Sequence, residues 1–231
     1  EGIDSSSVWQ IPDLATGAAA ILVDDATGDN AIIVVPGAAD ALVPEDLDTA
    51  EPGIAESAAF LASLEVSTPV MQRGLEIAKR NGVTTILNPA PAAELPDMVY
   101  QLSDYFTPNE TEAAMLAEVP VDTVEQAEVA ATRFLQRGVE TVVITLGEKG
   151  AYVRNSAVQE HVPPFDMGDR VIETTGAGDA FNGGFAKALA EGQSLIEAVR
   201  FGSATAAISV TRYGTAPAMP TEDEIRALLA S

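Results

Sequence analysis

Short apolar or β-branched runs alternate with longer segments whose apolar residues recur at helical spacing. This alternation constrains the chain more than any other feature. Thr141–Thr145 (TVVIT) is the clearest strand, and Thr84–Leu87 is a second β-branched run. Ala59–Leu64 reads as a short buried strand and Tyr105–Thr107 as another. Between them, Pro69–Asn81 has helical spacing at Val70, Met71, Leu75 and Ala78, with Gly82 placed to end the helix. Asn109–Val119 and Val124–Arg137 read as helices, the second closed by Gly138. Strand–helix–strand spacing of this kind predicts an α/β fold with a mostly parallel sheet and helices on both faces. Upstream, Ala18–Asp24 and Asn30–Val35 read as a hairpin through Thr27-Gly28-Asp29. Downstream, Ala151–Arg154 and Gln159–Val162 form a short meander. Asp179–Ala190, Leu195–Arg212 and the charged Thr221–Ala230 close the chain as helices. At 231 residues and 47% apolar content there is material for one core and little case for disorder.

The charge balance removes several functions. Thirty-five acidic side chains face twelve basic ones, for a formal net charge of −23. Nucleic acid demands a basic footprint, and an anionic membrane surface repels this composition. No apolar run approaches the ~20 residues of a spanning helix. The chain has no cysteine, which excludes disulfides, thiolate metal sites and cysteine nucleophiles, and a single histidine, His161. These features fit a cytoplasmic protein.

Five segments could carry chemistry. The densest is Glu173-Thr-Thr-Gly-Ala-Gly-Asp179, which runs into a helix through Ala180-Phe-Asn-Gly-Gly184. A glycine loop opening a helix offers unpaired N–H groups at the positive end of the dipole, which is an anion site. It is not a P-loop, because the Gly-Lys-Ser/Thr ending is absent, and Phe181 occupies the third glycine position of a dinucleotide loop. A carboxylate directly after the second glycine makes sense beside a transferring phosphoryl group. There it would take a hydroxyl proton while the N–H groups hold the phosphate charge. Asp179 would equally serve as a plain helix cap, and spacing alone leaves both open.

Thr145-Leu-Gly-Glu-Lys-Gly150 follows the TVVIT strand, where ligands of parallel sheets bind; taken alone it reads as a turn. In Thr107-Pro-Asn-Glu-Thr-Glu-Ala113, Asn109 and Glu112 share a face at i, i+3. They could orient a hydrated Mg²⁺, and alone they read as a capped helix start. Asn88-Pro-Ala-Pro-Ala92 fixes an extended exit from a strand. Glu65 closes an apolar run as an isolated carboxylate, ordinarily a surface residue.

Together the five segments resemble the ribokinase-like carbohydrate kinase family. TTGAGDAFNGGF is similar to its C-terminal signature, and LNPAPA, TPNETEA and ITLGEKGAYV are similar to its ribokinase branch more than to adenosine kinase or phosphofructokinase relatives. The order of motifs matches through essentially the whole chain. The resemblance implies a three-layer sandwich with a mostly parallel central sheet and the remnant of a small β lid at 18–35, in a single domain over 1–231. It implies ATP-dependent phosphorylation of the primary hydroxyl of D-ribose to ribose 5-phosphate. Asp179 would be the base, and Gly176, Ala177 and Gly178 the anion hole. Asn109, Thr145, Gly147, Glu148, Lys149, Gly150, Gly178 and Ser203 would line the nucleotide site. Glu65, with Asp179, would bind the sugar, and Glu112 would act near Mg²⁺. Glu173, Thr175, Ser209, Arg212, Gly214 and Ala218 would hold K⁺, mostly through carbonyls.

The chain departs from the family pattern in two places. Glu173 stands where the family usually has Asp. The chain begins at Glu1, so the family's first strand, most of the lid and its glycine-glycine motif are expected to be missing. The partners implied are a small sugar and ATP, and the resemblance allows a homodimer through lid strands. Two other readings remain open from the residues: an inactive nucleotide-binding remnant, and a dinucleotide-binding oxidoreductase.

Overall fold

The computed structural model describes residues 2–23 and 30–231. A six-stranded sheet runs in the order β3 (Ala59–Ala62), β4 (Thr84–Leu87), β5 (Tyr105–Phe106), β6 (Thr141–Thr145), β7 (Ala151–Arg154) and β8 (Gln159–Val162). The first four strands are parallel, and β7 and β8 return antiparallel.

This order dictates the layers. Strand number rises steadily across the sheet, and crossovers between parallel strands are right-handed, so every connecting helix falls on the same face. Those helices are α2 (Thr68–Arg80), α3 (Asp97–Gln101), α4 (Glu110–Ala117) and α5 (Val124–Gln136). They bury Met71, Leu75, Val99, Ala113 and Ala130 against Leu87, Val142 and Ile144. Tyr100, Phe106 and Phe134 pack ring to ring at 4.9–6.1 Å in the middle of this layer. The opposite face is left for the last third of the chain. α6 (Ala177–Ala190), α7 (Leu195–Ser209) and α8 (Glu222–Leu229) cover Ile86, Val143 and Val153 with Phe181, Phe185, Val199, Phe201 and Ile225. The result is the three-layer α/β/α sandwich.

α1 (Pro44–Ala55) packs on the outer side of α2 through Ile54, Ile77 and Ala78. β1 (Ala18–Val23) and β2 (Asn30–Val35) form a separate antiparallel pair, with Ala18 opposite Val35 and Val23 opposite Asn30. The expected turn at Thr27-Gly28-Asp29 lies outside the described residues.

Four expectations change. Ala59–Leu64 is not a fully buried strand: β3 stops at Ala62 and is the sheet's edge, half-buried, with Leu61 exposed. The helix from Leu195 ends at Ser209 rather than Arg212, because the Thr211 and Arg212 N–H groups bond Ile208 and Ser209, three residues back rather than four. α6 begins at Ala177, two residues early, because Gly176 adopts the left-handed conformation that starts it. α1 and α3 have no counterpart in the sequence reading.

Candidate active site

Parallel strands place all their carboxyl ends along one edge, and the loops leaving that edge are tied to each other. Asn88 N–H donates to the Ala62 carbonyl, Leu64 N–H to Ala90, Thr107 N–H to Leu87 and Thr145 N–H to Pro108, all at 2.9–3.0 Å. Asn109 and Thr145 add an isolated parallel bridge. The segments 107–112 and 145–150 therefore share one edge.

α6 arrives at that edge from the opposite layer. Its N-cap is Gly176 at φ 78°, a conformation that suits glycine. No side chain caps it. Asp179 is therefore not the cap but the third helical residue. The Ala177 N–H bonds to Thr174, whereas those of Gly178 and Asp179 fall in the first turn, where the helix has no acceptors for them. Gly178 and Asp179 are both exposed, so an open N–H pair and a carboxylate face solvent together. The donor set fits a phosphate.

Asn109 caps α4 with a reciprocal box. Its side chain accepts from the Glu112 N–H at 2.8 Å, and Glu112 accepts from the Asn109 backbone N–H at 2.8 Å and its side-chain amide at 2.9 Å. Glu112 is 8% exposed. Burial pushes its carboxyl above the usual range, against the lowering effect of the Asn109 N–H.

The turn after β6 is a 3-10 turn at Gly147–Lys149. Gly147 faces outward at φ 54°, with only the Glu110 carboxylate near the position a Cβ would take. Gly150, at φ 89°, is pressed against the Val162 carbonyl and Pro163-Pro164, so its lack of a side chain serves this close approach. Glu148 is exposed, and Lys149 gives its ammonium to the Asp122 carbonyl at 2.9 Å.

A second pair of loops is joined beside the start of α6. The Ile172 and Glu173 N–H groups both donate to Val210, and the Gly214 N–H donates to the Glu173 carboxylate at 3.1 Å. That N–H, with the Thr175 side chain, holds the Glu173 carboxyl below its ordinary range. Glu173, Thr175, Ser209, Arg212 and Gly214 are thus gathered. Ser209 spends its hydroxyl on Ala206, Arg212 pairs with Glu224, and Ala218 is buried in the 3-10 turn that follows. Among the described residues no three acidic or histidine side chains cluster to hold a metal. Ser203 is partly buried in mid-α7, next to Gly202, where α7 touches α6. Glu65 is exposed in the loop beyond β3 and is tied to the edge only through its neighbour Leu64.

The sequence reading missed Thr107 and Asn182 as connecting residues. The buried Thr107 hydroxyl donates to Asn182 Oδ1 at 2.6 Å, and Asn182 Nδ2 donates to the Gly178 carbonyl at 2.9 Å. The available signal was an amide side chain on the apolar face of a helix, next to Phe181 and one turn before Phe185.

Glycine turn, adjoining carboxylate and carboxyl-edge loops thus lie at one end of an α/β sandwich. The chain belongs to the pfkB family of carbohydrate kinases, whose model matches residues 1–222. It is thus a ribokinase-like phosphotransferase. It is 42% identical to the ribokinase of Haemophilus influenzae over 224 residues, covering 97% of this chain and 72% of that protein. It is 34% identical to the deoxyribokinase of Salmonella typhi, covering 99% of this chain and 74% of that one. The structure of Arabidopsis thaliana ribokinase complexed with ribose and ATP superimposes with a TM-score of 0.85 at 30% identity, covering 95% of this chain and 70% of that one. Phe181 is buried against Gly202, and the family is one of phosphotransferases, so the dinucleotide-oxidoreductase reading falls. Among the described residues no helix is long and apolar enough to cross a membrane.

Proposed function

We propose that this chain transfers the terminal phosphoryl group of ATP to the primary hydroxyl of D-ribose, giving ribose 5-phosphate. One observation carries the reading: α6 opens on an uncapped glycine with the N–H groups of Gly178 and Asp179 free beside the Asp179 carboxylate. Asp179 takes the hydroxyl proton as the oxygen attacks, and the turn through Gly176, Ala177 and Gly178 presents the open N–H groups of Gly178 and Asp179 to the charge on the transferred group. Thr145, Gly147 and Asn109 line the nucleotide side with Glu148 and Lys149 at its rim, Ser203 contributes from α7, and Glu65 binds a sugar hydroxyl. Gly150 supports the same turn from behind.

When bound, Mg²⁺ neutralises the phosphates. Glu112 would hold such an ion through its water shell, with Asn109 fixing the orientation of both carboxylate oxygens, since Mg²⁺ takes oxygen ligands largely through water. Glu173 and the carbonyls of Thr175, Ser209, Arg212, Gly214 and Ala218 suit a weakly held monovalent cation such as K⁺, because the two loops are already joined. The β1–β2 pair would be the lid. Its exposed Leu22, Val34 and Val35 support pairing with a second copy.

Asp179→Asn should abolish sugar-dependent ADP release and leave ADP affinity, read by calorimetry, within about threefold of the parent. Near-full activity in that variant sinks the reading. So does a parent chain that binds ADP and turns over no sugar. The similarity to a deoxyribokinase supports 2-deoxy-D-ribose as a second acceptor, decided by comparing kcat/KM on the two sugars.

A further inference from the structure

The first turns of α6 are poorly built to hold a fixed shape. Four of the nine residues from Gly176 to Gly184 are glycine. Each interior glycine costs about 1 kcal/mol of helix stability relative to alanine. Within its layer, α6 is located by contact with α7, where Gly184 meets Thr205 and Gly202 meets Phe181. On the sheet side a different device acts. The Gly178 carbonyl can only accept, which fixes Asn182 Nδ2 towards it and leaves Oδ1 for the Thr107 hydroxyl. Thr107 is itself rooted in the sheet: its N–H bonds Leu87 and its carbonyl takes the Asn88 amide at 2.9 Å. Two residues on, Asn109 caps the helix that carries Glu112.

We propose that Asn182, anchored by Thr107, is a positioning residue that sets the Asp179 turn against the Asn109–Glu112 turn. The inference rests on the kinase reading above. Asn182 and Thr107 are 4% and 1% exposed, so their polar atoms would be costly to bury without these bonds. Gly178 lies one residue before Asp179, so a shift at its carbonyl moves the carboxylate and the open N–H groups as a unit. An aspartate at 182 would still accept from Thr107 but could not donate to Gly178. A valine at 107 would keep the shape and lose the hydroxyl, and a serine would keep the hydroxyl.

The test compares the parent with Asn182→Asp, Thr107→Val and Thr107→Ser, each characterised by urea unfolding. Asn182→Asp and Thr107→Val should lower kcat by about 10- to 100-fold, the range expected when reacting groups are misplaced by about 1 Å. KM for ATP should change far less than kcat, within about threefold, since the Asn109, Thr145 and Gly147 side of the nucleotide site is not itself substituted. Thr107→Ser should recover most of kcat. Amide hydrogen exchange at Ala180 to Gly184 should quicken in the two damaging variants while the exchange of β6 stays as in the parent. Unchanged kcat in folded variants overturns the proposal, as does a loss of kcat matched by the loss of folded protein. If Asn182→Asp does not fold, the Thr107 pair decides. If the parent turns over no sugar, the kinase reading fails by itself. The exchange data then decide the clamp: faster exchange confined to 180–184 sustains it, and unchanged exchange overturns it.

Discussion

Gly147 and Gly150 flank one turn at φ 54° and 89°, and only the second is also crowded, by the Val162 carbonyl. Gly147→Ala should cost about 1 kcal/mol, the price of a left-handed alanine. Gly150→Ala should cost clearly more, because the strand beyond must also move. Urea midpoints read the difference, and equal losses would dismiss the β8 contact. Glu112 supplies a pH prediction. Its carboxyl is raised by burial, so in the window from its unfolded value near 4.5 up to its folded value the native state binds more protons than the unfolded state. Its contribution to stability therefore falls as pH rises through that window. Glu112→Gln removes this slope, and the variant's stability relative to the parent should rise with pH there; a pH-independent difference would contradict the burial argument. The candidate residues at this scale were legible because glycine and carboxylate types stand in ordered short motifs. Thr107 and Asn182 were not, because their partnership spans 75 positions and depends on which face α6 turns to the sheet.

Helix pairs make the same point. β4, β6, β7 and β8 match the expected runs to the residue: β4, β6 and β7 because β-branched and apolar residues bounded by turns leave little choice, and the mostly polar β8 because it pairs with β7 as the return strand of the meander. α1 was not legible: it contains Pro52, which removes a backbone donor and ordinarily argues against a helix, and it survives by packing Ile54 beside Ile77. β3 was misjudged because an apolar run says nothing about whether a strand has one neighbour or two. The α6–α7 crossing depends on glycine at the contact. A Cβ on Gly184 would collide with the side chain of Thr205, so Gly184→Val should destabilise the fold by about 1–3 kcal/mol through overpacking. Because α6 carries Asp179, kcat should fall in the fraction that remains folded. A variant with parental stability and kcat would show that the two helices separate freely.

On the scale of the whole molecule, the net charge of −23 first serves to exclude partners and then bears on stability. Eight of the twelve cationic side chains, Arg73, Lys79, Arg80, Arg137, Arg154, Lys187, Arg212 and Arg226, are already ion-paired, and thirty-five acidic side chains far outnumber the cations available to neutralise them. Added salt screens the resulting repulsion. The melting temperature should rise between low and about 0.5 M choline chloride, where the screening length is only a few ångströms. A further rise specific to KCl over choline at equal ionic strength would report the monovalent site, and a fall in both salts would refute the repulsion argument. The sheet order carries one more consequence, which concerns assembly in time. Every strand of the main sheet lies beside its neighbour in sequence, so the sheet can grow by addition as the chain emerges from the ribosome. The face that α6, α7 and α8 cover stays bare until the last third is made. The bond from Thr107 to Asn182 is therefore among the last contacts available, and a nascent chain lacks the α6 turn that carries Asp179 until its sheet already stands.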